Sequence, residues 1–519
     1  MNPKWLLAIS FIEGGAVMGV ELIGAKMIGP YFGASLYVWS AVLAVTLLGL
    51  TAGYYCGGIV SEKWPGQSTL FYLLAAGGLL TGIMPITAPP LMNMLLEQDF
   101  RIGAITSAFL FIFPPLLFYG MVSPFIVHML TKQIRETGKK AGLVYAVSTL
   151  GGILFTFLIG FYVIPELGLR LGAVIISSIV LAVPVVCLAT QRKTKRAFAL
   201  LIVGILSAAT QLSAASGIAA SSDVFQQLYS SSGLLGQVTV YDYKNTDTRC
   251  VFINNVSQSY IDNQTGRSQW LYIHRLAAYC SFKPIGSRTL IVGLAAGNLV
   301  NEMVGLGFEM DACDIDKRMA HVASTYFGMT DRVSVTIDDA RHFINVNKKT
   351  YDIIVLDISS GETQPTNLYT VEGFKKIKTL MAPDGILWIH YPTIYNGPEG
   401  LALKSIWKTA EASGLIVELV DTDQELNGLS EYLIFCTRDG QSLENQSFER
   451  RDPYSDSFGF HLSAEEGILR KDLSNESGII MTDDRPIMDK LHSPMATRHR
   501  KASIDMTLRA LRRDKIPVL

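Results

Sequence analysis

The chain has 519 residues, of which 49% are hydrophobic and only 17% are charged, and its mean hydropathy is +0.30. These values exclude an intrinsically disordered protein and a small disulfide-stapled domain. The formal net charge of -1 averages two unlike parts. Residues 1–220 carry 13 Lys and Arg against 7 Asp and Glu, whereas residues 221–519 carry 31 against 38. This distribution predicts a membrane domain followed by a soluble domain.

Long apolar segments fill the first part of the chain. A transmembrane helix needs about 20 predominantly apolar residues. Seven segments meet this requirement, and we expect them at 5–28, 35–58, 69–91, 102–127, 141–164, 171–190 and 197–219. Pro114 and Pro115 interrupt the fourth segment, which predicts a kink there.

Loop charges predict the orientation of these segments. Lys and Arg cluster after the second, fourth and sixth segments, which places those loops and the N-terminus in the cytoplasm by the positive-inside rule. A seventh segment that crosses would place the soluble part on the other side. Residues 207–219 are largely Ser, Ala, Thr and Gln, so this segment also fits an interfacial helix. We expect a multi-pass protein of the cell membrane, in bacteria the inner membrane, with the side of the soluble part left open.

Three ionisable residues, Glu13, Glu21 and Lys26, lie in the first apolar segment. An isolated charge inside a bilayer is costly. These residues therefore predict either interhelical contacts or a site for a cation or an amine inside the helical bundle.

The soluble part begins near residues 220–233, which are rich in Ser. Short strands are expected at 237–243, at 249–253 and around Tyr260, followed by a helix at 267–281. From residue 288, apolar strands alternate with helices, and the strands are predicted at 289–292, 310–313, 333–337, 351–356 and 386–390. This alternation is typical of a parallel, doubly wound sheet.

Such sheets bind ligands at the carboxyl ends of their strands. Glycines or aspartates follow four successive predicted strands: Gly293 and Gly297, then Asp314, then Asp338 and Asp339, and then Asp357. Together they predict a site for a nucleoside-bearing cofactor. The full dinucleotide glycine pattern is missing, which favours an S-adenosylmethionine-type ligand over NAD.

At these residues the soluble part resembles the spermidine synthase (polyamine aminopropyltransferase) family, and the whole chain resembles its membrane-fused bacterial form. The most specific matches are residues 338–343 and 351–357, and residues 482–486 resemble the closing motif of the fused proteins. We expect four regions. They are an α-helical multi-pass membrane domain at 1–220, a small β-rich subdomain at 221–285, a Rossmann-like α/β domain of the S-adenosylmethionine-dependent transferase type at 286–492, and a basic C-terminal tail at 493–519.

The resemblance implies transfer of an aminopropyl group from decarboxylated S-adenosylmethionine, or use of S-adenosylmethionine itself, without a metal ion. It also implies roles by position. Gln258 contacts the nucleoside, Gly293 and Gly297 form the cofactor loop, Asp314 holds the ribose, Asp338 and Asp339 precede the adenine pocket, Asp357 takes the proton of the attacking amine, and Ser360 and Tyr369 lie at the acceptor.

The chain departs from the family at three positions. Ala296 stands where the family has an aspartate that contacts the aminopropyl amine, and Ser360 replaces a second aspartate that helps to bind the acceptor. A family glutamine is replaced near His390.

Three functions remain open at this point. The first is a membrane-anchored aminopropyltransferase. The second is another S-adenosylmethionine-dependent transferase, which moves a methyl group or uses a lipid or membrane-delivered acceptor. The third is a non-catalytic protein that binds a nucleoside or polyamine and regulates the membrane half. The expected partners are a small amine or membrane-delivered acceptor and the lipid bilayer. No motif indicates nucleic-acid binding, and a homodimer is left open.

Overall fold

The computed structural model describes residues 2–32, 36–95, 98, 100–131, 133–191, 194–216, 225–233, 235–254, 256–358, 364–426, 429–446, 468–470, 476–496 and 498. The chain divides into two compact units. One comprises Met1–Ala220, Ser230–Gln237 and Lys515–Leu519, and the other comprises Ser221–Tyr229 and Val238–Asp514. The predicted four-part division of the chain stays a prediction, and most of the predicted basic tail lies outside the described residues.

The first unit is helical. Its helices are α1 (Pro3–Phe32), α2 (Leu36–Lys63), α3 (Gln67–Leu95), α4 (Phe100–Phe111), α5 (Phe113–Leu130), α6 (Thr137–Leu158), α7 (Gly168–Thr190) and α8 (Thr194–Ser216). A π-helical segment, Ile159–Leu167, joins α6 to α7 and contains Pro165. Proline lacks the N–H that an α-helical ladder needs, which accounts for the irregular winding at this point.

Five helical stretches among the described residues are long and apolar enough to cross a membrane: Pro3–Gly29, Leu36–Lys63, Gln67–Leu95, Phe113–Leu130 and Thr137–Thr190. The last runs through two predicted segments. The fourth predicted segment is two helices, because the chain breaks at Ile112, just before Pro114 and Pro115. In α8 only Ala197–Leu206 is apolar, so the crossing of the seventh segment stays open.

Glu13 is buried in α1 and makes interhelical contacts. Its Oε2 accepts hydrogen bonds of 3.1 Å from the hydroxyls of Ser123 in α5 and Ser148 in α6. The ammonium of Lys26 lies 5.3 Å from the centre of the Trp39 ring. Both side chains therefore make interhelical contacts, which is the first of the two alternatives given in the sequence analysis.

A four-stranded sheet in the order β1–β2–β3–β4 follows the helices along the chain. Its strands are β1 (Phe225–Gly233), β2 (Gly236–Tyr243), β3 (Thr248–Ile253) and β4 (Val256–Asp262), and the helix α9 (Leu271–Cys280) follows. The last three strands and the helix agree with the sequence prediction. Strand β1 was not predicted, because its serines weaken the apolar alternation that marks a strand.

An eight-stranded sheet forms the centre of the second unit. Its strands are β5 (Arg288–Val292), β6 (Glu309–Asp314), β7 (Ser334–Ile337), β8 (Tyr351–Leu356), β9 (Met381–Thr393), β10 (Ile416–Leu426), β11 (Leu429–Thr437) and β12 (Ile468–Arg470). The strand order is β12–β10–β11–β9–β8–β5–β6–β7. Strands β5 to β9 are parallel, whereas β11, β10 and β12 are each antiparallel to the preceding neighbour. The predicted doubly wound parallel sheet is thus a mixed, Rossmann-like sheet.

Helices connect the parallel strands: α10 (Asn298–Gly305), α11 (Lys317–Tyr326), α12 (Ala340–Val346), α13 (Val371–Leu380) and α14 (Leu401–Ala412). Both faces of the sheet are buried. In β8, Ile354 and Leu356 belong to one hydrophobic cluster, whereas Ile353 and Val355 belong to another. Strands covered on both faces form near-continuous apolar runs, which made these strands recognisable in the sequence.

Candidate functional site

Strand order places the candidate site. The chain leaves β5 toward β6 on one side and later returns to β8 on the other, so the topology reverses between β5 and β8. Ligands of open α/β sheets bind outside the carboxyl ends of the strands at such a switch point. Gly293 follows β5 and Asp357 follows β8, so two predicted site residues flank it.

Backbone hydrogen bonds join the four predicted loops at this edge. The N–H of Asp357 donates to Val292 O over 2.9 Å, and the N–H of Gly293 donates to Cys313 O over 2.9 Å. The N–H of Asp338 donates to Asp314 O over 3.0 Å. The structure therefore brings these predicted site residues to one edge of the sheet.

The loop from Gly293 to Gly297 needs its small residues. Gly293 has φ 96°, and a Cβ there would lie 2.0 Å from the carbonyl oxygen of Asp357. Gly297 has φ 76° and is the N-cap residue of α10, and Ala295 also has a positive φ of 44°. Residues in this backbone region turn the chain sharply and are favoured where a ligand approaches the main chain.

Asp314 fixes the glycine loop from the neighbouring strand. Its Oδ2 accepts a hydrogen bond of 2.8 Å from the N–H of Leu294, and its Oδ1 accepts one of 2.8 Å from the N–H of Asp316. Burial raises the pKa of the Asp314 carboxyl above its usual range. The N–H of Ala295 also donates to this carboxylate. A carboxylate has about four acceptor positions, so one remains for a ribose hydroxyl.

Asp338 and Asp339 differ in their contacts. Asp339 caps α12, because its Oδ1 accepts hydrogen bonds from the N–H groups of Arg341 and His342. Asp338 Oδ2 lies 2.6 Å from Nδ1 of His342. Both carboxylates thus make local contacts at the start of α12, and their role toward adenine stays a prediction.

Gln258 lies in β4. Its amide nitrogen donates to the carbonyl oxygens of Val256 and Ser257. The next residue, Ser259, accepts a hydrogen bond of 2.5 Å at its hydroxyl from the side chain of Asn298 in α10. This contact ties β4 to the helix that begins at the glycine loop, and the predicted nucleoside contact of Gln258 stays a prediction.

Asp357 lies at the centre of a hydrogen-bonded cluster, which we call the Asp357 cluster: Tyr272, Asp357, His390 and Glu431. The hydroxyl of Tyr272 donates to Oδ2 of Asp357 over 3.0 Å, and Nδ1 of His390 lies 2.8 Å from Oδ1. On its other side, Nε2 of His390 lies 2.5 Å from Oε2 of Glu431. The rings of Tyr272 and His390 stack with centroids 3.7 Å apart.

The charge on His390 follows from these contacts. Burial by itself lowers the pKa of His390. The charges of Asp357 and Glu431 and the hydrogen bonds to them outweigh burial and raise this pKa to about 10. At neutral pH the imidazole therefore carries a proton on each nitrogen and donates to both carboxylates, so it cannot itself serve as a base.

Tyr369 lies in a loop that is held in place by the charged side chains of Asp483 and Arg341. Its side chain is fully buried, and among the described residues its hydroxyl has no hydrogen-bond partner. Asp483 accepts hydrogen bonds from the hydroxyl of Thr370 over 2.6 Å and from the guanidinium of Arg341 over 2.7 Å. Arg341 also donates to Asn367 O over 2.9 Å. The predicted acceptor residue Ser360 lies outside the described residues.

The sequence analysis did not identify Tyr272 and Glu431 as residues of the candidate site. His390 was noted only as a replaced family position. Tyr272 lies in α9 and Glu431 in an antiparallel strand, so neither follows a parallel strand, where ligand-binding residues were sought. The signal that could have found Glu431 is a lone acidic residue in a strand that is otherwise apolar after Ser430.

A family profile matches part of the second unit. The family profile described as "Spermine/spermidine synthase domain" matches residues 278–393. The predicted resemblance is therefore confirmed for this part of the chain. The match does not extend to residues 1–220, so the membrane fusion stays a prediction.

Curated relatives match over about a quarter of the chain. A polyamine aminopropyltransferase of Vibrio vulnificus is 32% identical over 135 residues, which cover 25% of this chain and 45% of that protein. An N-terminal histidine N-methyltransferase of Emericella nidulans is 29% identical over 133 residues, which cover 24% of each protein. The chain thus spans less than half the length of these relatives.

Solved structures that match part of this chain include a probable spermidine synthase from Corynebacterium glutamicum, with 18% identity and a TM-score of 0.36, covering 43% of this chain and 82% of that chain. Another is the spermidine synthase from Thermotoga maritima, with 13% identity and a TM-score of 0.35, covering 52% of this chain and 88% of that chain.

Proposed function

We propose that this chain, in which residues 278–393 form a spermine/spermidine synthase domain, transfers an aminopropyl group from decarboxylated S-adenosylmethionine to an amine. The observation that carries the proposal is the position of Asp357. Its backbone packs against Gly293 at the switch point of the sheet, and its carboxylate is held by Tyr272 and His390. A base at this position would take the proton of an amine that lies next to the bound sulfonium nucleoside.

The donor would lie along the edge formed by the glycine loop and Asp314. The positive φ values at Gly293 and Gly297 let a ligand approach the backbone closely. Asp314 is fixed by the backbone N–H groups of Leu294, Ala295 and Asp316, and it keeps acceptor capacity for a ribose hydroxyl. In this proposal Asp338, Asp339 and Gln258 line the nucleoside side, as the sequence predicts.

The chemical step needs mainly alignment. The deprotonated amine attacks the aminopropyl carbon bonded to sulfur, so a C–N bond forms as the C–S bond breaks. The electron pair of that bond stays on sulfur, which leaves as neutral methylthioadenosine. Because the donor is already an electrophile with a neutral leaving group, holding the two reactants in line supplies much of the acceleration.

Asp357 supplies the proton acceptor. A protonated amine has no lone pair, so its proton must leave before or during attack. Tyr272 and His390 donate to different oxygens of Asp357 and fix the plane of the carboxylate. Each oxygen keeps a lone pair that an amine N–H can reach.

A second candidate is methyl transfer from S-adenosylmethionine. The observation that favours it is Ala296, which is fully buried at the position where the resemblance expects an aspartate for the aminopropyl amine. S-adenosylmethionine has a carboxylate next to its ammonium group, and an aspartate at this position would repel that carboxylate. An N-methyltransferase among the relatives also favours this candidate.

The released nucleoside distinguishes the two candidates. The purified full chain is incubated with an amine and either decarboxylated S-adenosylmethionine or S-adenosylmethionine, and the product is identified by mass spectrometry. Aminopropyl transfer predicts methylthioadenosine from the first donor and no S-adenosylhomocysteine from the second. The reverse pattern would support methyl transfer, and release of neither product would contradict both.

Membrane anchoring by residues 1–220 is part of the proposal, supported by five long apolar helices. The preparation of the full chain tests it in the same experiment. We expect the chain to sediment with membranes after an alkaline wash and to need detergent for release. Recovery in the soluble fraction without detergent would contradict anchoring and leave the transferase assay intact.

A further inference from the structure

The Asp357 cluster holds two carboxylates and one imidazolium. His390 contacts Asp357 on one side and Glu431 on the other, at 2.8 Å and 2.5 Å. The side chains of Asp357 and Glu431 keep 18% and 16% of their surface exposed, whereas that of His390 keeps 7%. One positive charge therefore offsets one of the two negative charges, and the cluster retains a single negative charge.

A diamine and a monoamine make different demands on such a site. The amine that reacts gives its proton to Asp357. A second ammonium on the acceptor, once removed from water, would need a carboxylate of its own. Among the described residues of this cluster the other carboxylate is Glu431, and the imidazolium of His390 already pairs with it.

The walls next to the cluster are aromatic. Tyr272 stacks on His390, Trp270 lies 5.7 Å from Tyr272, and Tyr260 lies 5.9 Å from Trp270, measured between ring centroids. A continuous run of rings thus leads up to the side chain that holds the base. Such rings bury apolar surface well and carry no formal charge to balance a second ammonium.

We propose that the acceptor is an amine with a single positive charge on an apolar remainder, and that His390 sets this preference by neutralising Glu431. This inference rests on the proposed function, because it names the acceptor class of the same site. His390 acts here as a specificity-determining residue through its contacts with Glu431 and Asp357.

A matched pair of acceptors tests the inference. Butylamine and 1,4-diaminobutane have the same carbon chain and differ in the second ammonium. The full chain in detergent is assayed with decarboxylated S-adenosylmethionine, and release of methylthioadenosine gives kcat/KM for each acceptor. For the wild type we expect kcat/KM for butylamine to exceed that for 1,4-diaminobutane by about tenfold or more.

Two variants distinguish the effect of the positive charge on His390 from a purely structural role of this side chain. His390→Gln removes the positive charge but can still donate a hydrogen bond, so Glu431 becomes an unbalanced carboxylate. We expect the ratio of the two kcat/KM values to move toward the diamine by about tenfold. The double variant His390→Gln/Glu431→Gln removes the unbalanced charge again, and we expect its ratio to return toward the wild-type value.

The outcomes are distinguishable from failure of the proposed function. A wild type that prefers the diamine would overturn the inference and would indicate that the aromatic run holds the second ammonium instead. His390→Gln that slows both acceptors equally would also overturn it and leave His390 a structural role. If no amine yields methylthioadenosine with the wild type, the proposed function fails before the acceptor class is tested.

Discussion

At the scale of single residues, the contacts of Asp357 distinguish this proposed base from the aspartates that only cap helices. Asp316 and Asp339 also follow strands of the same sheet, and both cap a helix through backbone N–H groups. Asp357 instead binds two side chains, Tyr272 and His390, that come from other elements. Asp316 and Asp339 each hold the first turn of the helix they cap, whereas Asp357 is positioned by side chains from outside its loop.

The ion pairs of His390 predict how stability depends on pH. Its pKa in the folded protein is raised to about 10 from an ordinary value of 6.5. Below pH 6.5 both the folded and the unfolded state hold the proton, so the stabilisation is complete. Between these two values the unfolded state loses the proton first, and the stabilisation declines as pH rises. We expect the Tm of the full chain to fall between pH 7 and pH 10, and to fall less in His390→Gln.

The comparison between the two proteins is the informative quantity, because tyrosines and lysines elsewhere also titrate near pH 10. An equal fall of Tm in the wild type and in His390→Gln would show that His390 is not held as an imidazolium in the folded protein.

At the scale of elements, the turn after β5 connects the donor side of the site to the base. A Cβ at Gly293 would meet the carbonyl oxygen of Asp357 at 2.0 Å, and the φ of 96° disfavours any side chain. The two loops can therefore approach each other only because this residue is glycine.

Gly293→Ala should disturb both loops at once. We expect a loss of about 1–3 kcal/mol of stability from the backbone strain and the contact, and weaker binding of methylthioadenosine. Thermal unfolding and calorimetric titration measure the two effects.

Gly305→Ala is the matched control, since Gly305 lies at the end of α10 and a Cβ there meets nothing within 4 Å. Nucleoside binding that survives in Gly293→Ala as well as in Gly305→Ala would contradict the proposed packing of the two loops.

Much of the sheet could be predicted from the sequence, because β5 and β8 are largely apolar runs that are followed by Gly293 and Asp357. The break between α4 and α5 followed from two prolines. Strands β1 and β10 to β12 were not predicted. Serines interrupt the apolar alternation of β1, acidic residues interrupt that of β10, and β12 has only three residues.

Some residues of the candidate site could likewise be predicted from the sequence, and others could not. Asp314 and Asp357 were found because each follows a parallel strand. The pairing of His390 with Glu431 arises from the register in which Leu433 lies opposite His390 and Glu431 lies opposite Pro392. No local pattern in the sequence specifies that register, so the contact between His390 and Glu431 could be recognised only in the folded structure.

At the scale of the whole molecule, two units of different chemistry share one chain. Apolar helices make up the first, and the second contains the mixed sheet with its candidate site. A membrane-anchored transferase would meet amines that partition toward the bilayer, which agrees with an acceptor that carries one charge and an apolar remainder.

The most direct measurement of the central claim compares nucleoside binding and turnover in the wild type and Asp357→Asn. Asparagine keeps the shape of the side chain and removes its capacity to take a proton. The account predicts that calorimetric binding of methylthioadenosine is retained, whereas turnover with decarboxylated S-adenosylmethionine falls about 100- to 10,000-fold. The exposed Asp331→Asn serves as the matched control and should leave both quantities unchanged. Unchanged turnover in Asp357→Asn, or no binding of methylthioadenosine by the wild type, would contradict the account.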